Sequence, residues 1–276
     1  MVVQPSRNEA IEAVREPRRL VDEWFDAYNR VDAAALRELC HYPLVSFGGA
    51  RLDRRALAVR TVEDPADFTP TGRDPQWSHS LIDRWGVHQP GEGKGHVVVD
   101  FRRCLADGSA YGVALSRLAI CTREDGRWGV RLVSSCGLRN PARVEVDSDA
   151  AAIEAAERTV RSLVDARSTG DAAAVRELCH VPFVRFDGTT MDVVRDPAAL
   201  ATDQPDGSDR VRGGVRSIEV LPPQSGDKVV VDCNLAREAS DGTALDPEGA
   251  VCLVTRQDGA WGVQCVSTRG GHGDVL

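Results

Sequence analysis

The chain has 276 residues, 42% hydrophobic and 28% charged, with 25 glycines and 14 prolines; this excludes a disordered or collagen-like chain and leaves enough apolar material for a core. Its net charge of −8 argues against a nucleic-acid partner, because neutralising duplex phosphates needs a basic face. No stretch reaches 18 consecutive apolar residues, so no membrane span is expected.

The first 20 residues alternate charges with isolated apolar residues and show no signal-peptide core. A soluble, cytoplasmic protein is expected. Eight cysteines without a Cys-x-x-Cys pair read as reduced, buried small hydrophobes. The two lysines, Lys94 and Lys228, read as a codon preference for arginine. Charge is uneven: residues 1–143 carry 21 Lys+Arg against 19 Asp+Glu, and residues 144–276 carry 13 against 23. That asymmetry reads as a solvated acidic face in the second half.

In chain order, Leu20, Val21, Trp24, Phe25 and Tyr28 recur at helical spacing. Asp32 stands where an N-cap would open a second, short helix that ends before Pro43. A strand follows at Leu44–Phe47, turning at Gly48-Gly49, and then a variable segment. Four strands are expected at roughly 77–86, 96–105, 110–122 and 127–135, with Asp107-Gly108 and Asp125-Gly126 as antiparallel hairpin turns. Gly91–Gly95 reads as another hairpin turn. It lacks the spacing of a phosphate-binding loop and precedes a strand instead of a helix. His88 and His96, on either side of it, are expected in solvent. The charged, Pro-containing stretch Leu138–Asp149 reads as a linker.

The order then repeats. Residues 32–41 (DAAALRELCH) return at 171–180 as DAAAVRELCH, DGSA at 107–110 returns as DGTA at 241–244, and DGRWGV at 125–130 returns as DGAWGV at 258–263. VVVD at 97–100 also reappears at 229–232, which would make Asp100 and Asp232 counterparts. This is a tandem duplication of a domain of about 130 residues, with domains expected at 1–140 and 147–276. If Asp258-Gly259 is a two-residue turn, Arg256 opposes Trp261 and Cys252 opposes Cys265. The same count opposes Arg123 to Trp128, and an Arg facing a Trp fits a cation–π contact. Helices followed by a curled antiparallel meander make an α+β layout.

Two helices, a strand and a meander ending in D-G-x-W-G-V with Ser134-Ser135 resemble the nuclear-transport-factor-two-like (SnoaL-like) superfamily. The chain is similar to a widespread bacterial branch of it that has a His/aromatic-Pro segment after helix two, here His41-Tyr42-Pro43 and His180-Val181-Pro182, and a Trp-x-His-Ser strand, here Trp77-Ser78-His79-Ser80. The resemblance implies two tandem cone-shaped α+β barrels, able to form an internal pseudo-dimer and a further homo-oligomer. It also implies a pocket between the long helix and the concave sheet face.

From that pocket come the candidates: His79 as general acid–base, Asp100 to orient it or act as a second base, and Tyr28 to bond a substrate oxygen. Trp24, Trp77, Phe101 and His41 would contact the substrate. The recurrence of His41 as His180 also fits a capping or core role. His79 has no counterpart in the second copy, so the first copy is expected to hold the working pocket.

The expected function is cofactor-independent proton-transfer chemistry (isomerisation, dehydration or cyclisation) on a small apolar substrate, of the kind found in bacterial secondary metabolism. The alternatives are a non-catalytic small-molecule-binding or assembly module, and an epoxide-opening polyether cyclase. No metal or cofactor is expected, because neither two-His-one-carboxylate nor H-E-x-x-H spacing occurs.

Overall fold

The computed structural model describes residues 7–48, 59–68, 76–91, 93–112, 114–137, 146–201 and 212–269. Two compact units divide the chain near Val144. The expected linker lies largely outside the described residues, as does Gly49.

The first unit opens with α1 (Arg7–Asn29) and α2 (Ala33–Glu38). Leu20, Val21, Trp24 and Phe25 are buried along one stripe of α1. Its other side is laced by Arg18–Asp22 and Arg19–Glu23 pairs. Asp32 caps α2 as expected, its carboxylate accepting from the Ala35 N–H at 3.0 Å, which satisfies one of the free donors of the first turn. Between the helices Val31 adopts φ 57°, a left-handed conformation costly for a β-branched residue.

The strands are β1 (Cys40–Phe47), β2 (Val59–Val62), β3 (His79–Gly91), β4 (Lys94–Cys104), β5 (Leu115–Glu124) and β6 (Arg127–Gly137). They form one sheet in the order β2-β1-β6-β5-β4-β3. The α+β architecture is the one expected, with two differences. The sheet is mixed, because β1 runs parallel to β6. The segment left as variable holds β2 and a short 3-10 turn at Pro65–Asp67. The hairpin at residue 125 is a two-residue turn with Asp125 at φ 49° and Gly126 at φ 79°, the positive pair that a type I′ turn requires.

The second unit repeats the plan with α3 (Val146–Thr169), α4 (Ala172–Leu178), β7 (Cys179–Asp187), β8 (Thr190–Val194), β9 (Arg212–Ser225), β10 (Lys228–Glu238), β11 (Ala244–Gln257) and β12 (Ala260–Thr268). The sheet order is β8-β7-β12-β11-β10-β9. Asp171 caps α4 through the Ala173 and Ala174 N–H groups.

In each unit a core forms between the long helix and one face of the sheet. In the first it joins Trp24 and Phe25 to Val97, Val99, Phe101, Ala119, Cys121 and Val130. In the second it joins Leu163 and Val164 to Val229, Val231, Cys233, Leu235, Ala250 and Cys252.

The registers correct three sequence expectations. Arg123 opposes Trp128 and Arg256 opposes Trp261 as expected, but neither pair stacks. Arg123 reaches Glu12 at 3.9 Å, and Arg256 donates to the Gly259 carbonyl. A bulge between Leu253 and Val254 moves Cys265 opposite Leu253 and Cys252 opposite Val266, and neither of these buried cysteines is in a disulfide.

The VVVD match is out of register. Thr122 and Thr255 are counterparts, each at 2.9 Å from the Nδ1 of His41 or His180. Lys94 opposes Thr122 and Lys228 opposes Thr255. Counting on from these lysines, Asp232 matches Val98, and Asp100 matches Asn234. The true strand counterparts are therefore the two lysines, both buried.

Candidate functional site

Alternation along the strands sorts the expected residues onto two faces. On β4, Val97, Val99 and Phe101 join the core under α1, so Asp100 projects from the opposite face. There it accepts from Arg84 Nη2 at 2.6 Å and Nε at 2.9 Å, and its side chain is only 14% exposed. His79 opposes Cys104, whose position also lies on that opposite face, and its Nδ1 lies 3.3 Å from Ser78 Oγ. Trp77 precedes the strand. Its ring folds under α1 because its Nε1 donates to the His79 carbonyl at 2.8 Å, so strand alternation does not carry from Trp77 to His79.

His41 is buried on β1 beside Gly129, with Thr122 Oγ1 at 2.9 Å and Glu124 Oε1 at 3.5 Å. Burial pushes its pKa down to about 4, against the opposing pull of Glu124. His180 has the matching Thr255 contact and the matching glycine, Gly262. The expectation that His96 stands in solvent is overturned. It is buried on β4, because β3 and β5 flank that strand on both sides.

Tyr28, Trp24, Trp77 and Phe101 do come together on the helix-covered face. Trp24 stacks on Tyr28 with centroids 5.0 Å apart, Tyr28 meets Trp77 at 5.1 Å, and Phe25 meets Phe101 edge-on at 4.9 Å. Asn29, one residue on, donates to the Ser80 carbonyl and accepts from the Ser80 N–H, which ties the end of α1 to β3.

Two arginines complete this face, and sequence reasoning missed both. Arg117 on β5 opposes Val99 and Ser135. Its guanidinium lies 4.6 Å from the Trp24 ring centroid, 5.4 Å from Phe101 and 5.9 Å from Tyr28. Arg103 on β4 lies over Trp77 at 5.2 Å. Lost hydration, with Arg103 as a neighbouring like charge, lowers the Arg117 pKa to about 10. Among the described residues neither arginine forms an ion pair. Arg117 Nη1, Arg103 Nε and the hydroxyl of Ser80, which opposes Arg103, are buried without a hydrogen-bond partner. The available signal was an arginine interrupting the apolar run Leu115–Cys121.

The described residues contain no cluster of three His, Cys, Asp or Glu side chains arranged to hold a metal. No helix among them is long and apolar enough to cross a membrane. A separate groove of about 300 Å³ formed by α1 and α2 is lined by Glu23, Asp26, Arg30 and Glu38 and includes none of the expected site residues.

No protein family and no curated protein matches the chain. Solved structures similar to parts of it include the association domain of C. elegans CaMKII, at 18% identity and a TM-score of 0.37, covering 44% of this chain and 98% of that one. An NTF2-like protein of unknown function from Pseudomonas putida is 15% identical with a TM-score of 0.35, covering 48% and 89%. A Streptomyces avermitilis protein provisionally described as an NTF2-like dehydratase is 10% identical with a TM-score of 0.37, covering 48% and 99%.

Proposed function

We propose that the first unit binds a small organic molecule on the helix-covered face of its sheet, against the rings of Trp24, Tyr28, Trp77 and Phe101. The supporting observation is the set of three buried polar groups on that face, Ser80, Arg103 and Arg117, with unused hydrogen-bonding capacity. Buried polar groups are nearly always satisfied, and aromatic walls with a few placed polar groups are the usual make-up of a ligand site.

A second reading is proton-transfer chemistry on the bound molecule, with Tyr28 as the proton donor. Of the three expected catalytic residues, Tyr28 alone shares this face. Epoxide opening by paired carboxylates finds no support, since the described strand positions of the face carry no carboxylate.

The test uses the full chain labelled with 5-fluorotryptophan, whose five tryptophans give separate fluorine signals. Titration with neutral 1-naphthamide should shift Trp24 and Trp77 and leave Trp261 unmoved. Shifts confined to Trp85 or Trp261 would place the ligand elsewhere.

A further inference from the structure

In the second unit the counterpart of Arg103 faces a carboxylate of the same chain. Counting from the paired threonines and lysines, Arg103 on β4 matches Arg237 on β10, and Leu115 on β5 matches Glu248 on β11. Phe101 opposes Leu115 just as Leu235 opposes Glu248. Arg237 Nε lies 3.7 Å from Glu248 Oε2, with side chains 9% and 5% exposed. The second unit thus carries its own carboxylate for its buried guanidinium.

The first unit departs at both positions. Leucine stands where the glutamate would be. A second guanidinium, Arg117, stands where the other unit has Ala250, since Arg117 opposes Ser135 as Ala250 opposes Thr268. Two positive charges therefore lie on an aromatic floor, and neither is ion-paired among the described residues. Both residues are half-buried, Arg117 Nε donates to Ser135 Oγ at 2.8 Å, and the buried nitrogens that remain, Arg117 Nη1 and Arg103 Nε, carry a desolvation cost that an anion would offset.

We propose that the first unit takes a carboxylate ligand with an apolar or aromatic body, its carboxylate held by Arg117 and Arg103 and its body against the rings of Trp24 and Tyr28. The ligand's carboxylate would do from outside what Glu248 does within the second unit. Guanidinium presents N–H groups in a fork that matches carboxylate geometry, and the rings of Trp24, Tyr28 and Phe101 lie within 6 Å of the Arg117 guanidinium, where an apolar body would meet them. Copy one then recognises an acid, and copy two is closed to acids by its own glutamate. The inference rests on the binding reading above and narrows it to one ligand class.

The experiment compares 1-naphthoate with its neutral isostere 1-naphthamide, each titrated into the 5-fluorotryptophan-labelled full chain. Naphthoate should bind about tenfold tighter or more, the size expected for a charge-assisted hydrogen bond. Arg117→Met should erase that preference, the acid losing about tenfold more affinity than the amide. Leu115→Glu, which copies the second unit's solution, should erase it too and raise the melting temperature of the free protein.

Equal affinity for acid and amide overturns the proposal while the pocket stands. A preference that survives both substitutions overturns it as well. Absence of any tryptophan shift with either compound removes the pocket and the proposal together. The acid-to-amide ratio on the unsubstituted chain decides the matter even where a variant fails to fold.

Discussion

The imidazole of His41 lies directly against Gly129: a Cβ added at that glycine would come within 2.5 Å of His41 Cδ2. The second unit has the same relationship, with a Cβ at Gly262 falling 2.6 Å from His180 Cδ2. The glycine of each D-G-x-W-G-V segment is thus the floor of a histidine niche. Gly129→Ala and Gly262→Ala should each destabilise by about 1–3 kcal/mol, the usual cost of overpacking. Gly214→Ala, where nothing lies within 4 Å of the added carbon, is the control and should be near neutral. Denaturant midpoints at unchanged slope would measure all three.

Protonating His41 should unfold the protein from below. Its folded pKa is depressed to about 4 from 6.5, so the unfolded chain binds its proton first as pH falls. Its contribution is fully present above pH 6.5 and is lost as pH drops toward 4, by up to about 1.4 kcal/mol per pH unit. His180 is shifted the same way by its burial. Melting temperatures recorded between pH 7 and 4.5 should fall, and His41→Gln should flatten that slope. An unchanged slope in the variant would locate the proton elsewhere.

Val31 invites a stabilising substitution. It holds φ 57° at 55% exposure, one residue before the Asp32 cap. At the same place before the Asp171 cap the second unit has Gly170, at φ 74°. Glycine accepts this conformation without the Cβ clash. Val31→Gly should therefore stabilise by about 1 kcal/mol, the left-handed penalty less some added freedom in the unfolded chain. Thermal melts of the two proteins side by side would show it.

Glu248→Gln should be among the most damaging single changes in the second unit. It removes one charge of a buried pair, at a cost of roughly 3–5 kcal/mol. Chemical denaturation should show the loss. Arg103→Met at the matching place in the first unit breaks no ion pair among the described residues and should cost far less.

What could be read in the sequence was local. The aspartate caps at 32 and 171 and the Asp-Gly turns are decided by neighbours within four residues, and each formed as expected. Which face a side chain takes depends on strand ends and bulges, and there period-two counting fails. His79 begins its strand, so Trp77 before it is oriented by its own hydrogen bond and not by alternation. The bulge at Leu253 separates Cys252 from Cys265. The two VVVD strings are offset by two residues in the fold, because Gly95-His96 separates Lys94 from its string and nothing separates Lys228 from its own. Arg117 resembled any charged residue in a strand until the sheet placed it among rings.

The burial of Lys94 and Lys228 has a practical consequence. No side-chain amine stands on the surface, so a protease that cuts only after lysine has no site in the folded chain. Each unit carries one such bond, at a counterpart position, within a central strand of its own sheet. Cleavage must await local opening, and where reclosing is fast its rate follows the free energy of that opening. The order in which the two fragments appear would rank the units by their resistance to opening, with no label and no substitution.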